Sequence, residues 1–394
     1  MALTRRRFVQ AAGLGAAGTI ATDWIGARGR EHALWSLVNP TLQASERDLI
    51  VLSSNENPVG PGLRVLNAMR TALGEGGRSA GRYSPSARDL VDAIARKQGV
   101  KPENVVLGCG STQILRSATH LFTATDKPLV GTIPTYEECA GYAEMMGRPV
   151  RAVPLDASCK IDLDKLAEAS QGAGLVFYCN PNNPTATYVG ARATRDYFER
   201  VNRTSPTTTI LVDEAYFDYV TDADHETHIP VAVDNPRVIV ARTFSKAYGM
   251  AGLRLGYAIG HKDTIKKMAD WDGGTGTGSL NVLAIHAAIA AIQQDASVIA
   301  AERARNQAVR DFTMNWFTTR GMKPADSQAN FMFVQLGRPA KEFRDACRKR
   351  GVAVARDFPP FEKTHCRLSF GTLDEMKRAV SVFGDVLAKR STAA

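Results

Sequence analysis

Short apolar runs alternate with helically spaced segments through the middle of the chain. The runs predict strands at Val105–Leu107, Pro128–Val130, Arg151–Pro154, Leu175–Tyr178, Ile210–Val212, Val238–Ala241 and Gly256–Ile259. Helical patterns precede or separate these strands, over 63–73 and 88–99 and from Thr112 and Glu137 onward. Short strands that alternate with helices are typical of a mostly parallel sheet that is covered on both faces.

The two ends of the chain predict a smaller α+β domain beside this α/β domain. Helical spacing over 282–320 is long enough to join two domains, and three further strand patterns follow it. The predicted division is 1–33 as a signal or disordered N-terminus, 34–74 as an N-terminal arm with part of the small domain, 75–281 as the large domain, and 282–394 as the linking helix with the small C-terminal domain.

The first residues match a twin-arginine export signal. Thr4 is followed by three arginines and Phe8, and then by a run rich in Ala and Gly that ends at Ala21. The run is too short to span a bilayer as a helix, so we expect no stable membrane span. The alternative is a disordered basic tail. We expect contact with the twin-arginine machinery and a periplasmic or otherwise exported protein, or a cytoplasmic one if the signal is not used.

Composition narrows the class of protein only slightly. With 44% hydrophobic and 23% charged residues among 394, the chain is an ordinary globular protein. The net charge of +9 is not arranged as a basic stripe with aromatics, so we expect no nucleic-acid partner. The six cysteines form no CxxC pair, so we expect no structural zinc and no other metal.

The loops that follow the predicted strands carry most of the candidate chemistry. They are Gly108–Thr112, Asn180–Asn183, Asp213 and Thr243–Lys246. In a parallel sheet, ligands bind outside the carboxyl ends of the strands. These four segments therefore predict a single site.

The segment around Lys246 suits a lysine that forms a Schiff base while its neighbours bind a phosphate. Thr243 and Ser245 supply hydroxyl groups, and Arg254 follows eight residues after the lysine. Pyridoxal phosphate is a cofactor that has both an aldehyde and a phosphate. The glycine loop at 108–113 could add backbone N–H groups at a helix start, although many such loops are only tight turns.

Other residues offer partners for the remaining atoms of that cofactor. A carboxylate at Asp213 could keep the pyridine nitrogen protonated; the alternatives are a helix N-cap or a structural ion pair. Asn183 and Tyr216 could hydrogen-bond the phenolic oxygen, and Tyr136 could stack on the ring. Arg367, at the start of a predicted strand, could bind an α-carboxylate in a bidentate manner.

Together these segments resemble the class I/II aminotransferases of fold type I, and within them the histidinol-phosphate aminotransferase branch. The similarity extends from about Leu52 to Thr372. The motifs that carry it are Asn55-Glu-Asn-Pro58, Arg82-Tyr83, Gly110-Ser111, Pro181-Asn-Asn-Pro-Thr185, Asp213-Glu-Ala-Tyr216, the Phe244 to Arg254 segment, Ala329-Asn-Phe331 and Arg367 with Gly371-Thr372. The resemblance implies an aspartate-aminotransferase-like fold and pyridoxal phosphate bound in the large domain.

The resemblance also implies roles for individual residues. Lys246, Asp213 and Tyr216 are the catalytic residues. The cofactor-binding set is Gly110, Ser111, Thr112, Tyr136, Asn183, Asp213, Tyr216, Thr243, Ser245, Lys246 and Arg254. Tyr83 matches a tyrosine that reaches the cofactor phosphate of the other subunit, which implies a homodimer with shared sites. The substrate-binding residues are Asn57, Asn330, Arg367 and Arg356, the last helping to bind a substrate phosphate.

The function predicted is transfer of an amino group between an amino acid, or an amino-phosphate such as histidinol phosphate, and a 2-oxo acid. Val59 and the glycine-rich loop Gly273–Ser279 depart from the branch pattern near the substrate, and export does not suit histidine biosynthesis. One alternative is a decarboxylase of the same fold, because the reaction depends on which Cα bond stands perpendicular to the ring. A second is a non-catalytic exported protein that binds pyridoxal phosphate or a peptide.

Overall fold

The computed structural model describes residues 49–74, 78, 81–82, 87–271 and 280–388. The strands are β1 (Ile50–Leu52), β2 (Val105–Gly108), β3 (Leu129–Ile133), β4 (Val150–Pro154), β5 (Leu175–Cys179), β6 (Thr209–Asp213), β7 (Val238–Thr243), β8 (Gly256–Gly260), β9 (Lys323–Pro324), β10 (Phe331–Gln335), β11 (Val352–Val354) and β12 (His365–Ser369). The helices are α1 (Gly62–Leu73), α2 (Arg88–Gln98), α3 (Gly110–Phe122), α4 (Glu138–Met145), α5 (Leu163–Ala169), α6 (Ala191–Thr204), α7 (Ile229–Asp234), α8 (Lys262–Trp271), α9 (Val282–Ile292), α10 (Ala296–Thr318), α11 (Ala340–Arg348) and α12 (Leu373–Ala388).

The central sheet has the predicted, mostly parallel arrangement. Its strand order is β2-β8-β7-β6-β5-β3-β4, and only β8 runs antiparallel to its neighbours. The register pairs Cys179 with Asp213 and Asp213 with Ala241, so that β5, β6 and β7 end side by side. The α/β fold class predicted from the sequence is confirmed, and the carboxyl ends of these strands form one edge.

Apolar side chains cover both faces of this sheet, and a separate core lies among the C-terminal elements. Val212 and Val240 belong to the core on one face, while Leu211 and Ile239 belong to the core on the other. This alternation follows from the period of two along a strand. The third core is built from β1, β10, β11, β12, α10, α11 and α12, with β1 pairing in parallel with β11. The predicted domain boundaries stay a prediction.

The prediction of one long helix over 282–320 is wrong in one respect, because the chain turns within this segment. Helices α9 and α10 meet at 91°. The Asp295 side chain caps α10 by accepting a hydrogen bond from the Ser297 N–H at 2.8 Å, which starts a new helix in another direction. In the described part of the chain, no single helix is long and apolar enough to cross a membrane; this bent pair meets that criterion only when both helices are counted together.

A buried ion pair lies behind the strand ends that carry the predicted site. Because side chains alternate along a strand, Asp213 and Thr243 line the cavity described below, whereas Glu214 and Arg242 contact each other. Glu214 Oε2 accepts from Arg242 Nε at 2.8 Å, and Oε1 accepts from the His228 backbone N–H at 2.8 Å. Burial acts to raise the pKa of Glu214, but Arg242 and His228 outweigh it and lower that pKa to about 2.

We expect Glu214→Ala to lower the free energy of unfolding by about 3 kcal/mol, because it leaves the buried Arg242 charge with only the Asp218 carboxylate, 4.0 Å from Nη1. The folded-state pKa lies below the unfolded one, so this contribution is present above about pH 4.5 and is lost as the pH falls toward 2. Urea unfolding at pH 7 and pH 3 measures both effects.

The matched control is Asp164→Ala, since the Asp164–Arg200 pair is exposed, and we expect it to cost less than about 1 kcal/mol. Equal losses in the two variants would contradict a special role for the buried pair.

Candidate active site

A cavity of about 600 Å³ opens at the carboxyl ends of β5, β6 and β7. The predicted site residues that line it are Ser111, Thr112, Tyr136, Asn183, Asp213, Tyr216, Thr243, Ser245, Lys246, Arg254, Arg356 and Arg367. These residues come from strands, loops and a helix start up to 256 positions apart in the sequence. The segments that follow the strands thus meet at one cavity, as the sequence predicts.

One end of the cavity has the donors that a phosphate needs. Helix α3 begins at Gly110, so its unpaired N-terminal N–H groups lie there with the hydroxyls of Ser111 and Thr112. Strand β8 lies against this helix start: a Cβ on Gly256 would stand 2.5 Å from the Ser111 nitrogen. Glycine at 256 therefore permits the close approach that fixes the helix N-terminus.

The Arg254 guanidinium lies against the same helix start. Its Nη2 would be 2.5 Å from a Cβ on Gly110, whose φ of +71° also favours glycine. Arg254 Nη1 is 3.5 Å from Ser245 Oγ, which in turn accepts a hydrogen bond from Thr243 Oγ1 at 3.0 Å. A cation, two hydroxyls and a helix N-terminus together form an anion-binding site.

The lysine and the aspartate of the cavity both carry charges that burial disfavours. Burial, with Arg367 nearby, lowers the pKa of Lys246 to about 8. Its Nζ donates to the Ser54 carbonyl oxygen at 3.3 Å. Asp213 is 2% exposed, and burial raises its pKa to about 7, although the Ala215 N–H and the charge of Lys246 act in the opposite direction. A cation placed beside Asp213 would restore the ionised carboxylate.

The hydroxyl of Tyr216 is oriented by a residue that the sequence analysis did not assign to the site. Asn55 Nδ2 donates to the Tyr216 hydroxyl oxygen at 3.1 Å, and Ser369 Oγ donates to Asn55 Oδ1 at 2.8 Å. Burial raises the pKa of Tyr216, so that its hydroxyl keeps its proton. Because this oxygen already accepts from Asn55, its own proton is available to an acceptor in the cavity.

Arg367 is a buried cation that lines the same cavity. Its Nη1 donates to Asn183 Oδ1 at 2.7 Å, and Nη2 donates to the Ser53 carbonyl oxygen. Within the described residues its Nε has no hydrogen-bond partner. Burial lowers the pKa of Arg367 to about 10. The guanidinium lies 4.8 Å from the Phe358 ring centre, so an aromatic ring packs beside it.

Some predicted site residues lie elsewhere. Asn57 Nδ2 donates to the Ala247 carbonyl oxygen at 3.1 Å, and Asn330 Nδ2 donates to the Asn55 carbonyl oxygen at 3.0 Å. Both amides support backbone next to the cavity and do not line it, so their contact with substrate stays a prediction. Tyr83, the 273–279 loop and the export signal lie outside the described residues.

The cavity also has lining residues that the sequence analysis did not single out. They are Ser53, Ser54, Asn55, Glu56, Thr135, Cys179, Ala215, Ala251, Gly252 and Phe358. Asn55, Glu56, Ala215, Ala251 and Gly252 lie within the motifs quoted above, and that membership was the signal available. Phe358 had no such signal, because a phenylalanine in a loop is ordinarily a packing residue.

Comparison with known proteins agrees with this geometry. Residues 47–383 match the family described as aminotransferase class I and II. The chain is 33% identical to the histidinol-phosphate aminotransferase of Moorella thermoacetica, over 87% of this chain and 86% of that protein. It is 32% identical to an aromatic amino acid aminotransferase of Thermobifida fusca, over 82% and 86%. The Sinorhizobium meliloti histidinol-phosphate aminotransferase, solved with pyridoxal-5'-phosphate, has a TM-score of 0.77 at 27% identity, covering 88% of this chain and 94% of that one.

The chain therefore belongs to the aminotransferase class I and II family. It is a pyridoxal-phosphate-dependent aminotransferase that acts on amino acids and 2-oxo acids. The residues present fit the cofactor. The anion-binding site formed by Arg254, two hydroxyls and the start of α3 suits its phosphate. Asp213 suits a protonated ring nitrogen, and the Lys246 amine suits its aldehyde.

We expect Asp213→Asn to change how stability of the cofactor-free protein depends on pH. The folded-state pKa of Asp213 is raised to about 7, so its contribution to stability is fully present below about pH 4 and is lost as the pH rises through 7. The asparagine does not titrate. Urea unfolding at pH 5 and pH 8 should therefore show a smaller loss of stability in the variant than in the wild type.

Turnover of the cofactor-loaded Asp213→Asn variant should fall about 100-fold, because a preorganised charge is removed from the ring nitrogen. The exposed Asp311→Asn serves as control and should change neither property. Wild-type turnover in the Asp213 variant would contradict the role assigned to this carboxylate.

Proposed function

We propose that this aminotransferase uses Arg367 to bind the α-carboxylate of both the amino acid and the 2-oxo acid. The observation that supports this is the buried charge of Arg367, which lines the same cavity as Lys246 and whose Nε has no hydrogen-bond partner among the described residues. Among the described residues no carboxylate forms an ion pair with Arg367. A substrate carboxylate would supply the missing anion in bidentate geometry.

The chain's own residues then have distinct tasks. When bound, pyridoxal phosphate supplies the aldehyde that takes the amino group and a ring that accepts the electron pair left at Cα. With a pKa of about 8, the Lys246 amine is partly unprotonated near neutral pH and can accept the α-proton at Nζ. Asp213 keeps a positive charge at the ring nitrogen, and the hydroxyl of Tyr216 donates toward the cavity.

The identity of the amino donor is to be determined by a direct screen of substrates. The relatives are named for histidinol phosphate and for aromatic amino acids, and both classes belong in a panel assayed with 2-oxoglutarate. Enzyme given an amino acid without an acceptor should accumulate pyridoxamine phosphate. Release of CO₂ under the same conditions would instead identify a decarboxylase.

We expect Arg367→Met to lower kcat/KM for amino acids about 100-fold, because a charge-assisted bidentate contact with the α-carboxylate is lost. The effect should fall mainly on KM, while the cofactor stays bound, as its absorbance will show. Arg350→Met is the control, because Arg350 donates to the Ala346 carbonyl oxygen at 3.0 Å and does not line the cavity. An unchanged KM in the Arg367 variant would contradict the proposed anchor.

We also propose that the protein works as a homodimer, as is typical of the family, with Tyr83 completing the partner's site. The twin-arginine pattern at residues 4–8 supports export of the folded, cofactor-loaded protein.

For export, we expect the double substitution Arg5→Lys with Arg6→Lys to retain the protein in the cytoplasm, because the twin-arginine pair is the recognised feature. Cell fractionation and immunoblotting measure its location. Arg28→Lys with Arg30→Lys preserves charge outside the pair and should leave location unchanged. Export of the first variant at the wild-type level would contradict the proposal.

A further inference from the structure

An ion pair joins Glu137 to Arg356, which lines the active-site cavity. Arg356 Nη1 donates to Glu137 Oε1 at 3.1 Å, and Nη2 donates to Oε2, so both carboxylate oxygens are engaged. The partners are 219 residues apart in the sequence. Their side chains are 55% and 57% exposed, so solvent and solutes reach the pair.

The location of the pair connects it with the substrate anchor. Glu137 follows Tyr136, which lines the cavity, and Arg356 lines the cavity itself. The Arg356 guanidinium lies 4.5 Å from the Phe358 ring centre, and the Arg367 guanidinium lies 4.8 Å from the same ring centre. Two cations thus share one aromatic ring. Arg367 has no carboxylate partner among the described residues, while Arg356 has Glu137.

We propose that Glu137 is a specificity-determining residue that directs the enzyme toward amino acids with uncharged side chains. Its carboxylate occupies the Nη1 and Nη2 donors of Arg356, which would otherwise bind a distal carboxylate or phosphate of the substrate. This inference rests on the proposed function, because it requires the substrate's α-carboxylate to bind Arg367.

The physical argument is one of competition between anions. A substrate with a distal anion must either displace the Glu137 carboxylate from Arg356 or lie beside it, where the two anions repel each other. A side chain without charge leaves the pair intact. Because the pair is exposed, it contributes at most about 1 kcal/mol, which corresponds to about a fivefold discrimination. The neighbouring Glu138 pairs with Arg116 at 2.5 Å, which makes it a matched control.

Calorimetric titration of the holoenzyme with glutarate and with glutaramate, its half-amide of nearly equal shape, tests the proposal. The two ligands differ only in the distal charge. We expect Glu137→Gln to raise the ratio of glutarate to glutaramate affinity about fivefold. Glu138→Gln should leave the ratio at the wild-type value. Addition of Arg356→Gln to Glu137→Gln should abolish the gain, because the cation that the substitution exposes is then absent.

A ratio that stays at the wild-type value in Glu137→Gln, or a parallel loss of affinity for both ligands, would overturn the proposal and leave the pair a structural contact. Failure of the proposed function gives a different result. In that case the affinity for both ligands would be insensitive to Arg367→Met, whatever Glu137→Gln does to their ratio.

Discussion

The site depends on charges that the fold buries at one edge of a parallel sheet. Asp213, Lys246 and Arg367 all line the same cavity, and for each of them burial shifts the pKa toward the uncharged form. The fold holds these groups at a cost in free energy, which stabilising interactions elsewhere must offset. A cofactor with a cationic ring nitrogen and a substrate with a carboxylate would complement Asp213 and Arg367. This explains physically why the cavity favours such ligands.

Because side chains alternate along two strands, the residues that line the cavity are separate from the residues that stabilise the strand ends. Asp213 and Thr243 line the cavity, while Glu214 and Arg242, each one residue away, form the buried pair behind it. The same backbone that presents a functional group is therefore fixed by an ion pair with hydrogen bonds to His228 and Thr227. Glycine at 110 and 256 serves a similar purpose, because it lets Arg254 and β8 approach the start of α3.

Local patterns in the sequence were sufficient for the sheet and for most of the cavity, because strand periodicity and strand-end loops are short-range features. Every central strand overlaps the apolar run that predicts it, although β3 extends three residues beyond its predicted end at Val130. The turn between α9 and α10 was missed, since one capping aspartate, Asp295, outweighs a continuous helical pattern. Asn55 and Glu137 were not assigned roles because their partners, Tyr216 and Arg356, are 161 and 219 residues away. Only the folded chain shows such pairs.

The most direct test of the account is to locate the covalent attachment of the cofactor. Holoenzyme reduced with borohydride, digested and analysed by mass spectrometry should carry a pyridoxyl group on the peptide that contains Lys246, and on no other peptide. Attachment at a different lysine, or no attachment after incubation with pyridoxal phosphate, would contradict the assignment of the cavity as the active site.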